Sequence, residues 1–284
     1  GDDHCYCLSA KDVGEDIKVE VKSYDANEVS ILRTTDEDGN VTDQFTDHEG
    51  KLILTRQKAN GIPHDTYIVY DDHGRNRVVL PPLAADALGG YSTFMCSQVE
   101  EVQLYGYLYY YDERDRCIKK KLPGCEPIYY VYDRCNYLVL KQDGNDREAG
   151  RWQSFQYDRL GRQVIWGFIN QNRPHADWIR ICKNQNLSIY FRGASYGSEN
   201  YGYTPVHRIS HLCTPLIINY YDNYEYTTIF NEFIGFLNRP GYYSSFFASS
   251  LTSRDKLTGQ VVALLNDPSK RDYIAYYYDQ RGRE

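Results

Sequence analysis

The sequence predicts a mostly β fold: successive antiparallel hairpins forming an extended, curled sheet, with a few short helices. Two observations carry that expectation. Of 284 residues, 29 are Tyr and 1 is Met. Tyrosine favours strands, because its flat ring packs on a pleated, half-buried surface while its hydroxyl stays wet. A Tyr-Asp segment also recurs along the chain, and self-similarity of this kind marks a repeat architecture.

The copies are plain in the residues. Positions 45–54 read FTDHEGKLIL, 69–80 VYDDHGRNRVVL, 110–122 YYDERDRCIKKKL, 131–140 VYDRCNYLVL and 156–165 QYDRLGRQVI. A weaker copy, YYDNYEYTTIF, covers 220–230, and YYYDQRGRE occupies 276–284. The run that ends in Tyr-Asp reads as a strand. Its Asp accepts nearby backbone N–H groups and starts a turn. The Gly that often follows permits the positive φ of a tight hairpin. After an Arg or Lys, apolar residues at alternating positions read as the returning strand.

The aspartates at 71, 112, 133 and 158 are spaced at one or two multiples of a unit of about 20–25 residues. The longer interval to Asp222 leaves room for degenerate repeats or an insertion at about 167–215. Short helices are expected at 83–88, after Pro81-Pro82, and at 175–183. The expected organisation is a flanking segment at 1–34, able to form its own strand pair, and a repeat region at 35–284. One hairpin cannot bury its apolar face alone. Paired hairpins twist and leave edges to protect, a job suited to Lys119, Lys120 and Lys121.

Charge and hydropathy exclude some partners. The formal net charge is −7, with both signs spread along the chain, so no basic block awaits a nucleic acid. No apolar run approaches the roughly 18 residues of a membrane span. The polar start, Gly1-Asp2-Asp3-His4, has no secretion-signal pattern, so any targeting segment is expected upstream or removed.

The 8 cysteines are Cys5, Cys7, Cys96, Cys117, Cys125, Cys135, Cys182 and Cys213. Cys5 and Cys7 beside His4 lack the second ligand pair of a zinc site, and thiols acting as small hydrophobes are the simpler reading. Asp36, Asp38, Asn40 and Asp43 offer the oxygen ligands of a calcium loop. The twelfth position counted from Asp36 is Asp47 rather than a bidentate Glu, and Asp38-Gly39-Asn40 equally makes a hairpin turn.

His207, His211 and Cys213 lie close in sequence, but Pro205 and Pro215 bracket them and the Glu of a metalloprotease helix is missing. Arg192–Gly197 is Gly/Ser-rich without phosphate-loop spacing, and no G-x-S-x-G elbow occurs. Acid pairs for glycoside hydrolysis need tertiary proximity that sequence does not give. No catalytic, cofactor-binding or metal-binding residue is therefore assigned. Trp152, Trp166 and Trp178 would stack on sugar rings or a partner if exposed, and pack as cross-strand pairs if not.

The Tyr-Asp hairpins resemble the YD repeats of the Rhs (rearrangement hotspot) family. Thr66–Pro82, TYIVYDDHGRNRVVLPP, is similar to the extended repeat ending in Leu-Pro-Pro of large Rhs-repeat surface proteins of Bacteroidetes. Tyr109–Pro127 and Leu257–Arg283 are similar to further units, and the resemblance spans about residues 35–284. It implies β-hairpin strips that spiral into a hollow shell, in proteins that are secreted, wall-associated or held at the cell surface. The implied role is a non-catalytic scaffold or encapsulating segment, without cofactor. Its implied partners are neighbouring repeats of the same longer chain. A carbohydrate-binding module with a glycan or protein ligand is the alternative. The family's self-cleavage motif is not matched, since Asp267-Pro268 is followed by Ser269.

Overall fold

The computed structural model describes residues 5–24, 28–59, 61–193, 201–204, 208–230, 253–264, 267–278 and 281. The chain divides into two compact units, Gly1–Ile128 and Tyr129–Glu284. The expected copy at 276–284 falls largely outside the described residues.

In the first unit the strands are β1 (Tyr6–Val13), β2 (Asp16–Ser23), β3 (Ser30–Thr35), β4 (Val41–Thr46), β5 (Leu52–Ala59), β6 (Ile62–Asp71), β7 (Asn76–Leu80), β8 (Thr93–Met95), β9 (Tyr107–Tyr111) and β10 (Cys117–Lys121). β3 to β7 form an antiparallel meander. It continues through β9 to β10. β1 and β2 form a hairpin; β1 meets β6 in a short parallel pairing, and β2 pairs β8. Between β7 and β9 lie α1 (Pro82–Asp86), a tight turn at Ala87–Gly90 and α2 (Glu100–Tyr105). Proline at the first turn suits α1, because that N–H would go unpaired anyway. The helix expected at 83–88 is thus shorter and tightens at its end. Ala84, Leu88 and Val102 bury against Ala10, Val19, Phe45, Leu54, Val69, Val78 and Leu108.

The second unit holds β11 (Ile128–Tyr132), β12 (Leu138–Gln142), α3 (Gly144–Glu148), β13 (Trp152–Tyr157), β14 (Gln163–Ile169), α4 (His175–Cys182), α5 (Arg208–Leu212), β15 (Cys213–Tyr221), β16 (Leu257–Leu264) and β17 (Asp267–Ala275). Each strand pairs antiparallel with the next. α4 matches the expected helix, and its Trp178 and Cys182, one turn apart, face the core. Trp178 meets Trp152 edge-on at 6.4 Å. A second core gathers Tyr203, Tyr220, Tyr226, Ile218 and Val261.

The returning strands are not simple alternators. In six hairpins the register slips once, leaving Ile53, Arg77, Ile118, Val139, Val164 and Thr258 without a directly opposed partner. This is a β-bulge, which sets two adjacent residues against one and increases the local twist. It turns neighbours inward together: Ile53 with Leu54, Val139 with Leu140, Val164 with Ile165 are all buried. Strict alternation was the expectation, and the bulge is why it fails.

The weak copy at 220–230 is corrected in a different way. Tyr220-Tyr221-Asp222 does end a strand, but the returning strand is β16, not residues 226–230. Residues 224–228 instead make a tight turn whose Tyr226 ring lies in the core, its hydroxyl donating to the Thr258 carbonyl at 2.5 Å. Gly259 makes room for that ring: a Cβ there would stand 2.3 Å from it. Gly259→Ala should therefore cost about 1–3 kcal/mol in urea unfolding. Gly89→Ala, where a Cβ meets nothing within 4 Å, should be near neutral.

Candidate functional site

The recurring chemistry lies along the turns. At Asp71 the N–H donates to the Arg75 carbonyl at 3.1 Å, and the Asp71 carbonyl accepts the Gly74 N–H at 2.8 Å. Its Oδ1 accepts the N–H groups of His73 and Arg75, both at 3.0 Å. Oδ2 accepts Nε of Arg75 at 2.8 Å. One carboxylate thus satisfies the turn's inward N–H groups and fixes the cation that follows. The same backbone bonds recur at Asp47, Asp112, Asp133 and Asp158, and the bond from the following arginine recurs at Asp112 and Asp158. The turn residue at positive φ is Gly50, Gly74, Asp115, Asn136 or Gly161, which explains why Gly can be replaced only by Asp or Asn here.

Tyr70, Tyr111, Tyr157, Tyr221 and Tyr278, each just before an Asp, reach back to the preceding hairpin. The hydroxyl of Tyr70 donates to the Leu52 carbonyl at 3.1 Å, and that of Tyr111 to Asn76 at 3.0 Å. In the second unit Tyr157 donates to Leu138 at 3.0 Å, Tyr221 to Gln163 at 3.1 Å and Tyr278 to Leu257 at 2.7 Å. The preceding hairpin answers with its own side chain over the ring. Lys51 covers Tyr70, Arg75 covers Tyr111, Arg162 covers Tyr221 and Lys256 covers Tyr278. Where that position is Tyr137, it stacks on Tyr157 at 5.0 Å. Cation–π and stacking contacts of this kind contribute about 0.5–1.5 kcal/mol each.

Several acids, at the turns and at Asp43 within β4, are held ionised. For Asp71 burial opposes the charge, but hydrogen bonds from Arg75 and Arg77 outweigh it and keep the carboxyl below its ordinary range. Asp112 has the same balance, with Arg116 as donor. For Asp222 the bond from Arg162 is the largest influence, and for Asp43 the bond from Arg33. Arg162 grips both neighbouring turns, Asp158 at 2.7 Å and Asp222 through two bonds of 2.9 and 2.7 Å.

The sequence-level candidates fall elsewhere and apart. His4, His207 and residues 194–197 lie outside the described residues. Among the described residues no cluster of three His, Cys, Asp or Glu side chains converges. Asp36 closes a turn through Asn40 at 2.8 Å, while Asp43 is buried against Arg33, so the two serve different purposes. His211 lies in the last turn of α5 and Cys213 opens β15. No disulfide joins the cysteines. Burial pushes the thiols of Cys5 and Cys213 up to about 11 and those of Cys96 and Cys182 up to about 12, the behaviour of inert hydrophobes. Trp152 and Trp178 are core residues, and Trp166 packs beside Phe168. Lys119 lies half-buried over the Tyr110 ring at 4.2 Å, and burial lowers its pKa. It lines a cleft of about 500 Å³ with Asp16, Ser97 and Lys121.

No protein-family model matches the chain, and no curated protein matches it. Similar solved structures include a crystal structure of TcdB2-TccC3, at TM-score 0.42 and 10% identity over 93% of this chain and 14% of that one. Another is TcdB2-TccC3-TEV, at TM-score 0.36 and 15% identity over 86% of this chain and 13% of that one.

Two outcomes test the turn chemistry. Tyr157→Phe and Tyr221→Phe should each lower stability by about 1 kcal/mol, and in combination they should add, since they serve different hairpins. A depressed folded pKa contributes stability that is complete above the unfolded value of about 3.9 and is lost as pH falls through the folded values. The urea midpoint should therefore hold from pH 7 to about 5 and drop below about pH 4. A midpoint unchanged at about pH 2 would contradict the ionised clamps.

Proposed function

We propose that this chain is a non-catalytic structural segment of a secreted or cell-surface Rhs/YD-repeat protein, part of a scaffold or encapsulating shell. The observation that supports the reading is the link between successive hairpins. In each linked pair, one hairpin's tyrosine bonds to the returning strand before it and lies under that hairpin's cation or aromatic ring. The motif's residues are spent on joining repeats and not on presenting a reactive group. Asp is consumed by backbone N–H groups, Arg by Asp and the next ring, and Tyr by a carbonyl. A chain built this way extends by adding copies, and its partners are neighbouring repeats of the same polypeptide.

The natural polypeptide around these residues tests the proposal. A secretion signal upstream and further Tyr-Asp copies on either side are expected. Turnover by the purified chain on a broad panel of hydrolase substrates, lost on substituting residues of one cleft, would overturn it.

A further inference from the structure

Among the described residues, β3 is exposed along its whole length, unlike the other strands. Its register places it against β4 and no other strand among the described residues. The Asp36 N–H bonds to the Asn40 carbonyl, so alternation turns the N–H and C=O of Ile31, Arg33 and Thr35 away from β4. An edge of this kind is a template for another strand, and proteins normally blunt it with charge, proline or a bulge. β17, which pairs with β16, carries Lys270, Arg271 and Asp272. β3 reads Ser-Ile-Leu-Arg-Thr-Thr; its one charge is matched by Asp43 at 2.6 Å, and its pairing with β4 has no register shift. Leu32 is 61% exposed and Ile31 41%.

We propose that β3 is a homotypic docking edge, through which two copies of the chain pair antiparallel, centred on Leu32. The occupant follows from the strand's own sequence. Three registers align two or more of the outward residues Ile31, Arg33 and Thr35 of each strand with those of its partner. Centring on Arg33 sets two guanidinium groups opposite each other, which is unfavourable. Centring on Thr34 leaves Leu32 beyond the paired apolar residues. Centring on Leu32 sets Leu32 against Leu32, Ile31 against the stem of Arg33, and Ser30 against Thr34, a favourable hydroxyl pair. The joint is one short strand pair, so it belongs to the weak, transient class of interfaces. The inference does not depend on the proposed scaffold role.

Sedimentation velocity of the whole chain across a concentration series tests it. A reversible monomer–dimer equilibrium is expected. Leu32→Lys, which sets two ammonium groups face to face, should weaken it at least tenfold. Ile31→Pro, which removes an outward N–H while sparing the β4 ladder, should do the same. Leu160→Lys, a substitution at another exposed leucine, should not change it. Leu32→Cys should gain an oxidised dimer absent from the parent chain, because directly opposed non-hydrogen-bonded positions sit at disulfide distance. A chain monomeric at every concentration, or a dimer indifferent to both Leu32→Lys and Ile31→Pro, overturns the proposal.

Discussion

A β-hairpin has no interior, and everything else here depends on how one hairpin is held to the next. The Tyr-Asp pair performs both halves of that task. Asp fixes the turn from inside its own hairpin, and Tyr anchors the hairpin to the strand before it. Their energies are modest: a net hydrogen bond contributes about 1 kcal/mol, less than the 1.5–3 kcal/mol of one fully buried Leu or Val. Burial of residues such as Leu54, Leu108 and Leu140 therefore supplies most of the stability. The polar links decide which arrangement is stable. A slip of one residue would send every inward side chain to the outer face. It would also separate each tyrosine from its carbonyl and its cation.

Arg77 shows how strict that arrangement is. It occupies the bulged position that is Ile53, Val139 or Val164 in sister hairpins, and it is 1% exposed. A buried guanidinium is costly unless fully paired. Three acceptors answer it: Asp12 on β1, Asp71 at the turn and the Tyr109 carbonyl at 2.9 Å. The exception thereby ties the first hairpin to the repeat sheet. Asp71 must serve its own turn and this buried cation together, which accounts for its depressed pKa despite burial.

The turns were legible in sequence because their chemistry is local. Asp, the positive-φ residue and the cation lie within a few positions, and each has one role that its residue type announces. The hairpin at Gly61 could also have been read, since Asn60-Gly61 is a strong turn signal; it was missed because no Tyr-Asp precedes it. The bulges left a trace as well, in adjacent apolar pairs such as Val164-Ile165 where alternation predicts one. What could not be read was the reach of Tyr to a carbonyl 18 to 58 residues back, because register across strands is a tertiary property. α2 and α3 were hidden by brevity; only Asp143, capping the Asp146 N–H at 3.0 Å, marks the latter.

The Asp222 hairpin separates what the repeat needs from what it tolerates. Its two halves are far apart in sequence, yet the bond from the Asp N–H to the returning strand's carbonyl is kept. The Asp222 N–H meets the Lys256 carbonyl at 3.1 Å, and the Asp255 N–H meets Asp222 Oδ1 at 2.7 Å. Asp255 takes the positive-φ position that Gly161 fills in the preceding turn. Ser253 donates its hydroxyl to the Asp222 carbonyl at 2.6 Å, and the bulge and both tyrosine links persist. The clamp is thus defined by which groups meet, not by the length of chain between them. Loop closure explains why this is tolerable, since its entropy grows only logarithmically with length. Arg162, with two bonds to Asp222, adds a restraint at the neck. A repeat that reads contacts and not chain length can carry extra sequence in a turn without losing its place in the sheet.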